Sequence, residues 1–140
     1  MMIFDTTTEF GQRVARRLAE ERIGWLTTVD SSGMPQPRPI WFLWDGATFL
    51  IYSRAGAHKL HHIAAHPQVS LNLDGDGRGG DIIVFTGEAW LDDSAPPANQ
   101  LPAYLEKYRD GMTRINMTPE QFAEAYPAAL RVKPLKLRGH

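Results

Sequence analysis

Ser53, Arg54 and Lys59 are the residues of this sequence whose types and spacing best suit chemistry. A hydroxyl and two cations close together suit an anion, because charged donors make the stronger hydrogen bonds. The segment His58–His66 reads as a short helix, and its first N–H groups would point at the same place. Gly56, between the two cations, lets the backbone approach a ligand closely. Solvated surface cations beside a helix start give the same pattern, so spacing alone leaves both readings open.

His58, His62 and His66 recur every four residues, a spacing that zinc uses. They lie opposite a Leu60/Ile63 stripe, no carboxylate stands among them, and a histidine in the last turn suits the helix dipole. No metal is expected there. The loop DGDGRGGD (74–81) precedes a strand, unlike a nucleotide-binding glycine fingerprint, and lacks the downstream glutamate of a calcium loop. It reads either as a surface turn or as a flap whose Arg78 reaches over a ligand. No Ser-His-Asp set or carboxylate pair is readable, so no catalytic residue is assigned. Such a protein would bind and orient while a cofactor supplies the chemistry.

Both the anion candidates and their surroundings sit in QPRPIWFLWDGATFLIYSRAGAHK (36–59). Ile40–Trp44 and Thr48–Tyr52 read as strands joined at Asp45-Gly46, a hairpin signal. The first is apolar on both faces, with Ile40, Phe42 and Trp44 on one and Trp41 and Leu43 on the other. A barrel strand facing solvent should alternate, so its outer side must also be covered. A second subunit or a flat ligand would each serve, and a ligand in a dimer groove would satisfy both.

The remaining elements frame this hairpin. Glu9–Arg22 reads as an amphipathic helix with Phe10, Val14 and Leu18 inward, capped from the Thr6–Thr8 run. Ile23–Val29 reads as a strand ending in the Asp30–Gly33 turn. Pro35, Pro37 and Pro39 at alternate positions fit a sheet edge or a strand entry. Val69–Asp74 alternates cleanly, and Asp81–Leu91 is a further strand. Helices are expected from about Ala98 to Arg109 and from Thr118 to Tyr126, the second with Pro119 first and Gln121 third. Leu130–Leu137 closes the chain as a strand interrupted at Pro134.

The predicted fold is therefore mainly β with flanking helices, a six-stranded antiparallel barrel in one domain spanning residues 1–140. A parallel α/β fold would need a helix between most strands, and residues 23–52 contain none. Fifteen basic residues against sixteen acidic ones give no footprint for nucleic acid or membrane. The absence of cysteine excludes disulfides, thiolate nucleophiles and cysteine-bound metals. No apolar run reaches a membrane span, and MMIFDTTTEF lacks the basic start and apolar core of a secretory signal. A cytoplasmic protein is expected.

The whole pattern resembles a known family. The N-terminal helix, WLTTVDSSGMPQPRPIWFLWDG, FLIYSRAGAHKL, HPQVSLNLDGDGRGGDIIVFTGEAWL and RDGMTRINMTPEQFAEAY together resemble the pyridoxamine-phosphate-oxidase-like split β-barrel superfamily. Within it, the chain is most similar to the actinobacterial deazaflavin-dependent branch, whose members bind coenzyme F420.

The resemblance implies a homodimer with cofactor sites in grooves between subunits. It places Pro39, Ile40, Trp41 and Phe42 against the deazaflavin ring, Trp41 closest, and Ser53, Arg54 and Lys59 on the cofactor phosphate. Relatives often carry Arg-Asn where this chain has His61-His62, and a neutral His61 would weaken the anion site. The implied activity is reduction of an unsaturated small molecule by hydride transfer. An FMN-dependent oxidoreductase and a flavin or haem carrier without turnover are the alternatives. No proton donor is assigned; bound solvent, and Tyr52 if it faces the groove, are the two candidates.

Overall fold

The structure is a computed structural model that describes residues 3–140. Met1 and Met2, where the N-terminal reading begins, lie outside the described residues. Helix α1 (Glu9–Glu20) starts where the Thr8 side chain accepts from the Gly11 N–H at 2.9 Å. It buries Val14 and Leu18. Strands β1 (Gly24–Val29) and β2 (Pro35–Ile40) form a hairpin, followed by the two-residue β3 (Leu43–Trp44) and β4 (Phe49–Ser53). Helix α2 (His58–Ala65) leads into β5 (Gln68–Asn72) and β6 (Ile83–Leu91). A 3-10 turn at Ala98–Gln100, α3 (Pro102–Arg114), α4 (Pro119–Ala125) and β7 (Ala128–Gly139) complete the chain.

All strands belong to one antiparallel sheet in the order β2-β1-β5-β6-β7-β4-β3. Its two edges are consecutive in sequence, with only Trp41 and Phe42 between them. Two residues can span less than about 10 Å, so the sheet must curl until its edges nearly meet. The edges are not bonded to each other, which makes the barrel split.

Seven strands replace the expected six. Ile40–Trp44 is not one strand: the chain pairs with β1 from Pro35 to Ile40, turns at Trp41–Phe42, and pairs with β4 from Leu43. Pro35, Pro37 and Pro39 oppose Val29, Thr27 and Trp25, and their missing donors fall on the free edge, where no partner is lost. At the corner the ladder stops. There the Tyr108 hydroxyl accepts from the Phe42 N–H at 2.8 Å, and Lys107 Nζ donates to the Phe42 carbonyl at 3.0 Å. A buried peptide group left without those partners would cost about 1–3 kcal/mol.

Strand β7 runs from Ala128 to Gly139 and is not interrupted at Pro134. A bulge between Thr86 and Gly87 sets Gly87 opposite Pro134 and leaves Leu135 unpaired and exposed. Glycine is required at 87, where a Cβ would stand 2.0 Å from the Lys133 carbonyl oxygen. Helix α3 starts later than expected because Pro102 opens it after the 3-10 turn, and it continues to Arg114. The capping box of α4 forms as expected, with Thr118 and Gln121 exchanging hydrogen bonds at 2.8 and 3.1 Å.

Two apolar cores share strand β4, whose five residues are all buried. Phe49 and Ile51 face the barrel interior with Leu26, Phe42, Leu71 and Phe85. Leu50 and Tyr52 face α3 and α4, meeting Tyr104, Tyr108, Met112 and Phe122. Trp41 and Leu43 pack on this second core. Helices α3 and α4 of the same chain thus supply part of the outer cover inferred for them, and both residues stay partly exposed.

Candidate functional site

Strand alternation decides what β2 and β4 present at the split edge. The three prolines of β2 share one face, so Arg38 and Ile40 fall on the other. Ile40 closes the core, and Arg38, which is exposed, comes close enough to Lys59 at the start of α2 for its charge to act there. Strand β4 ends at Ser53, which pairs with Ala128 and is only 2 % exposed. Arg54 follows outside the ladder. The Ala57 N–H returns to the Arg54 carbonyl at 3.2 Å, a turn that sets α2 beside the strand end.

Two cavities open between these elements. One, of about 340 Å³, is walled by Pro39, Ile40, Trp41, Phe122, Ile23 and Ile115. The other, of about 430 Å³, is lined by Ser53, Arg54, Gly56 and Ala57. Tyr52, Lys59 and Tyr126 line both, so the cavities meet along these three side chains. The first is apolar and aromatic. The second carries hydroxyl and cationic donors, and among the described residues no carboxylate lines either.

Trp41 is held rigidly. Its ring stacks on Tyr108, with centroids 4.6 Å apart and planes 6° from parallel, and on Phe122 at 5.3 Å and 11°. Gly111 makes room for it, since a Cβ there would lie 3.1 Å from the indole. Phe122 in turn stacks on Tyr126 at 4.6 Å, and the Arg54 guanidinium lies 4.7 Å over the Tyr126 ring. A chain of stacked π-systems thus runs from the apolar cavity to the cationic one.

Electrostatics concentrate on Lys59. Burial and the nearby Arg38 charge both push its amine below the ordinary lysine range. None of the ion pairs among the described residues involves it. An anion in the second cavity would relieve both effects. The Tyr52 hydroxyl donates to the Pro96 carbonyl at 2.6 Å, and burial pushes its pKa above the ordinary tyrosine value.

Of the residues singled out in the sequence, Pro39, Ile40, Trp41, Ser53, Arg54 and Lys59 come together at this cleft. Phe42 does not. It is fully enclosed in the barrel, edge-on to Phe49 and beneath Lys107, because the corner turns it inward. His61 is exposed on α2 and lines neither cavity, while His62 shares a 2.9 Å hydrogen bond with Thr28. Arg78 is also remote. Its loop folds back on Asp76, which accepts from the Arg78 and Gly80 N–H groups, and Asp81 ties the loop to Arg13 and Arg17 of α1. Arg38, Tyr126, Ile23 and Ile115 had not been anticipated. Only Arg38 had a readable signal, its alternation with the three prolines.

Comparison with known proteins places this architecture. The chain is 29% identical over 109 residues to general stress protein 26 of Bacillus subtilis, covering 76% of this chain and 77% of that one. A crystal structure described as a putative pyridoxamine 5'-phosphate oxidase from Listeria innocua superposes with a TM-score of 0.67 at 20% identity, over 91% of this chain and 94% of the other. A protein described as an F420 reductase superposes with a TM-score of 0.64 at 22% identity, over 88% and 94%. At such identities the superpositions define the fold alone. The family model for pyridoxamine 5'-phosphate oxidase matches residues 10–139, and the chain belongs to that family. No helix among the described residues is long and apolar enough to cross a membrane.

Proposed function

We propose that this protein is an F420-dependent reductase of an unsaturated small molecule, acting in the cytoplasm as a homodimer. One observation carries the reading: an apolar aromatic cavity and a donor-lined cationic cavity meet along Tyr52, Lys59 and Tyr126. That pairing suits a ligand with a flat ring at one end and a phosphate at the other. The F420 reductase of the same fold supports it.

The residues present fit such a group. Ser53, Arg54 and Lys59 would hold the phosphate, Arg38 would add its charge from beside Lys59 without lining either cavity, and among the described residues no lining carboxylate opposes them. Trp41, Pro39 and Ile40 would wall the ring. Bound F420 supplies hydride-transfer chemistry, which no side chain of this protein can perform. The protein's contribution is orientation by the rigid Trp41 stack and exclusion of water by Ile23 and Ile115 at the rim. Three cations would also hold the phosphomonoester of FMN, which is the second reading.

A second copy would cover the outward face of the sheet. Leu135 is 57% exposed there, and a groove of about 460 Å³ runs past it and Thr27, Val29 and Ser70.

The activity is tested by mixing the protein with reduced F420 and a panel of enones, quinones and tetrapyrroles. Oxidation of the cofactor by at least one acceptor, lost in Lys59→Ala, is expected. Binding of reduced F420 without oxidation by any acceptor would make the protein a carrier instead.

A further inference from the structure

Tyr126, with Tyr52 and Lys59, lines both cavities. It follows α4 directly, where the backbone has left helical geometry, and it lines the cleft beside Tyr52 of β4. Arg54 fixes it twice. The guanidinium covers the ring at 4.7 Å, and Nη2 donates to the phenolic oxygen at 3.3 Å. Because the oxygen accepts from Arg54, its own proton is free to donate, and among the described residues it has no acceptor. The other hydroxyl at the junction, Tyr52, already donates to Pro96.

The junction therefore offers one oriented neutral donor, Tyr126, beside one ammonium, Lys59. In a ligand that reaches from the ring cavity to the anion cavity, the atoms passing this point are those of the connecting chain. A hydrocarbon linker would leave both donors unpaired, whereas a polyhydroxylated one would satisfy them. We propose that Tyr126, oriented by Arg54, is a specificity-determining residue that donates its phenolic proton to a hydroxyl of the ligand's linker. The cleft then selects ring ligands carrying a ribityl-type chain over the same ring without one. This inference rests on the ring-and-phosphate reading above and adds the recognised linker to it.

The test measures dissociation constants for three probes: F420, its ribityl deazaflavin portion without phosphate, and the deazaflavin ring with a methyl group in place of the chain. The wild-type protein, Tyr126→Phe and Arg54→Lys are compared. Tyr126→Phe keeps the ring stack and removes only the hydroxyl. It is expected to weaken F420 and the ribityl compound by about five- to tenfold, the worth of one neutral hydrogen bond, and to leave the chainless ring unchanged. Arg54→Lys, which loses the planar cover of Tyr126, should narrow the difference between the ribityl compound and the chainless ring. Equal weakening of all three probes by Tyr126→Phe, or no weakening of the ribityl compound, would overturn the inference while leaving the ring-and-phosphate reading intact. Failure of the wild-type protein to bind any of the three would overturn both. Unchanged thermal unfolding of Tyr126→Phe separates lost recognition from lost structure.

Discussion

The Tyr108 hydroxyl stands 2.8 Å from the Phe42 nitrogen and 3.0 Å from the Phe42 carbonyl oxygen, so one side chain of α3 meets both backbone groups at the corner of the split barrel. Arg22 offers the hydroxyl a second acceptor at 2.7 Å. The same tyrosine ring stacks on Trp41. One residue outside the sheet therefore takes part in both the corner of the barrel and the wall of the candidate site.

Tyr108→Phe should lower stability by about 1–3 kcal/mol, because the Phe42 N–H is left buried without an acceptor. Urea unfolding measures this as a lower midpoint at an unchanged slope. An unchanged midpoint would mean that the corner finds another partner.

Lys107 gives the protein a pH dependence of definite sign. Its amine donates to the Leu18 and Phe42 carbonyls and lies 3.8 Å over the Phe42 ring, yet burial first, and then Arg22, pushes its pKa down to about 8. The unfolded lysine keeps its ordinary value of 10.5. Above about pH 8 the unfolded state binds more protons than the folded one, so stability rises with pH. Near pH 10 the rise should reverse. Burial raises the Tyr104 and Tyr108 phenols, and the unfolded chain then releases protons that the folded chain keeps. The gain should reach about 1–2 kcal/mol after allowance for partial exposure of the lysine. Unfolding midpoints from pH 7 to 10 should show it in the wild type and not in Lys107→Met.

Gly87→Ala should destabilise by about 1–3 kcal/mol, since the new methyl meets backbone that cannot move without breaking the β6–β7 ladder. Thermal unfolding reads this directly, and a neutral effect would show that the bulge can shift along the strand.

Arg38→Ala should weaken binding of a phosphate-bearing cofactor by about 1.5–3 kcal/mol, as much as loss of a charge-assisted bond. His61→Ala should leave it unchanged, because His61 lies off the cleft. Fluorescence titration of the two variants distinguishes them, and the reverse order would mean that α2 rotates on binding.

Local signals in the sequence were enough for the elements that depend on neighbours. Thr118 and Gln121 cap α4 within three residues of each other, and the Asp45-Gly46 turn joins two runs that pair side by side. The prolines of β2 announced an edge. The bend at Trp41–Phe42 was not legible, because its partners Lys107 and Tyr108 lie 65 and 66 residues away. A run of apolar residues looks the same whether it continues as a strand or turns a corner.

The candidate site divided in the same way. Ser53, Arg54 and Lys59 are close in sequence and were legible together. Tyr126 and Ile115 reach the cleft only through the packing of α3 and α4 on β4. Phe42 and Trp41 are adjacent and both aromatic. Which of them faces the cleft is decided by the corner, not by their types.

The central claim is that one cleft takes a ring at Trp41 and a phosphate at Lys59. Titration of the purified protein with F420 and with FMN, followed by ring fluorescence, tests it most directly. Saturable binding of F420 at micromolar concentration, tighter than FMN and weakened by about 1.5–3 kcal/mol in Lys59→Ala, is the predicted result. Absence of binding by either compound, or binding indifferent to Lys59, would contradict it.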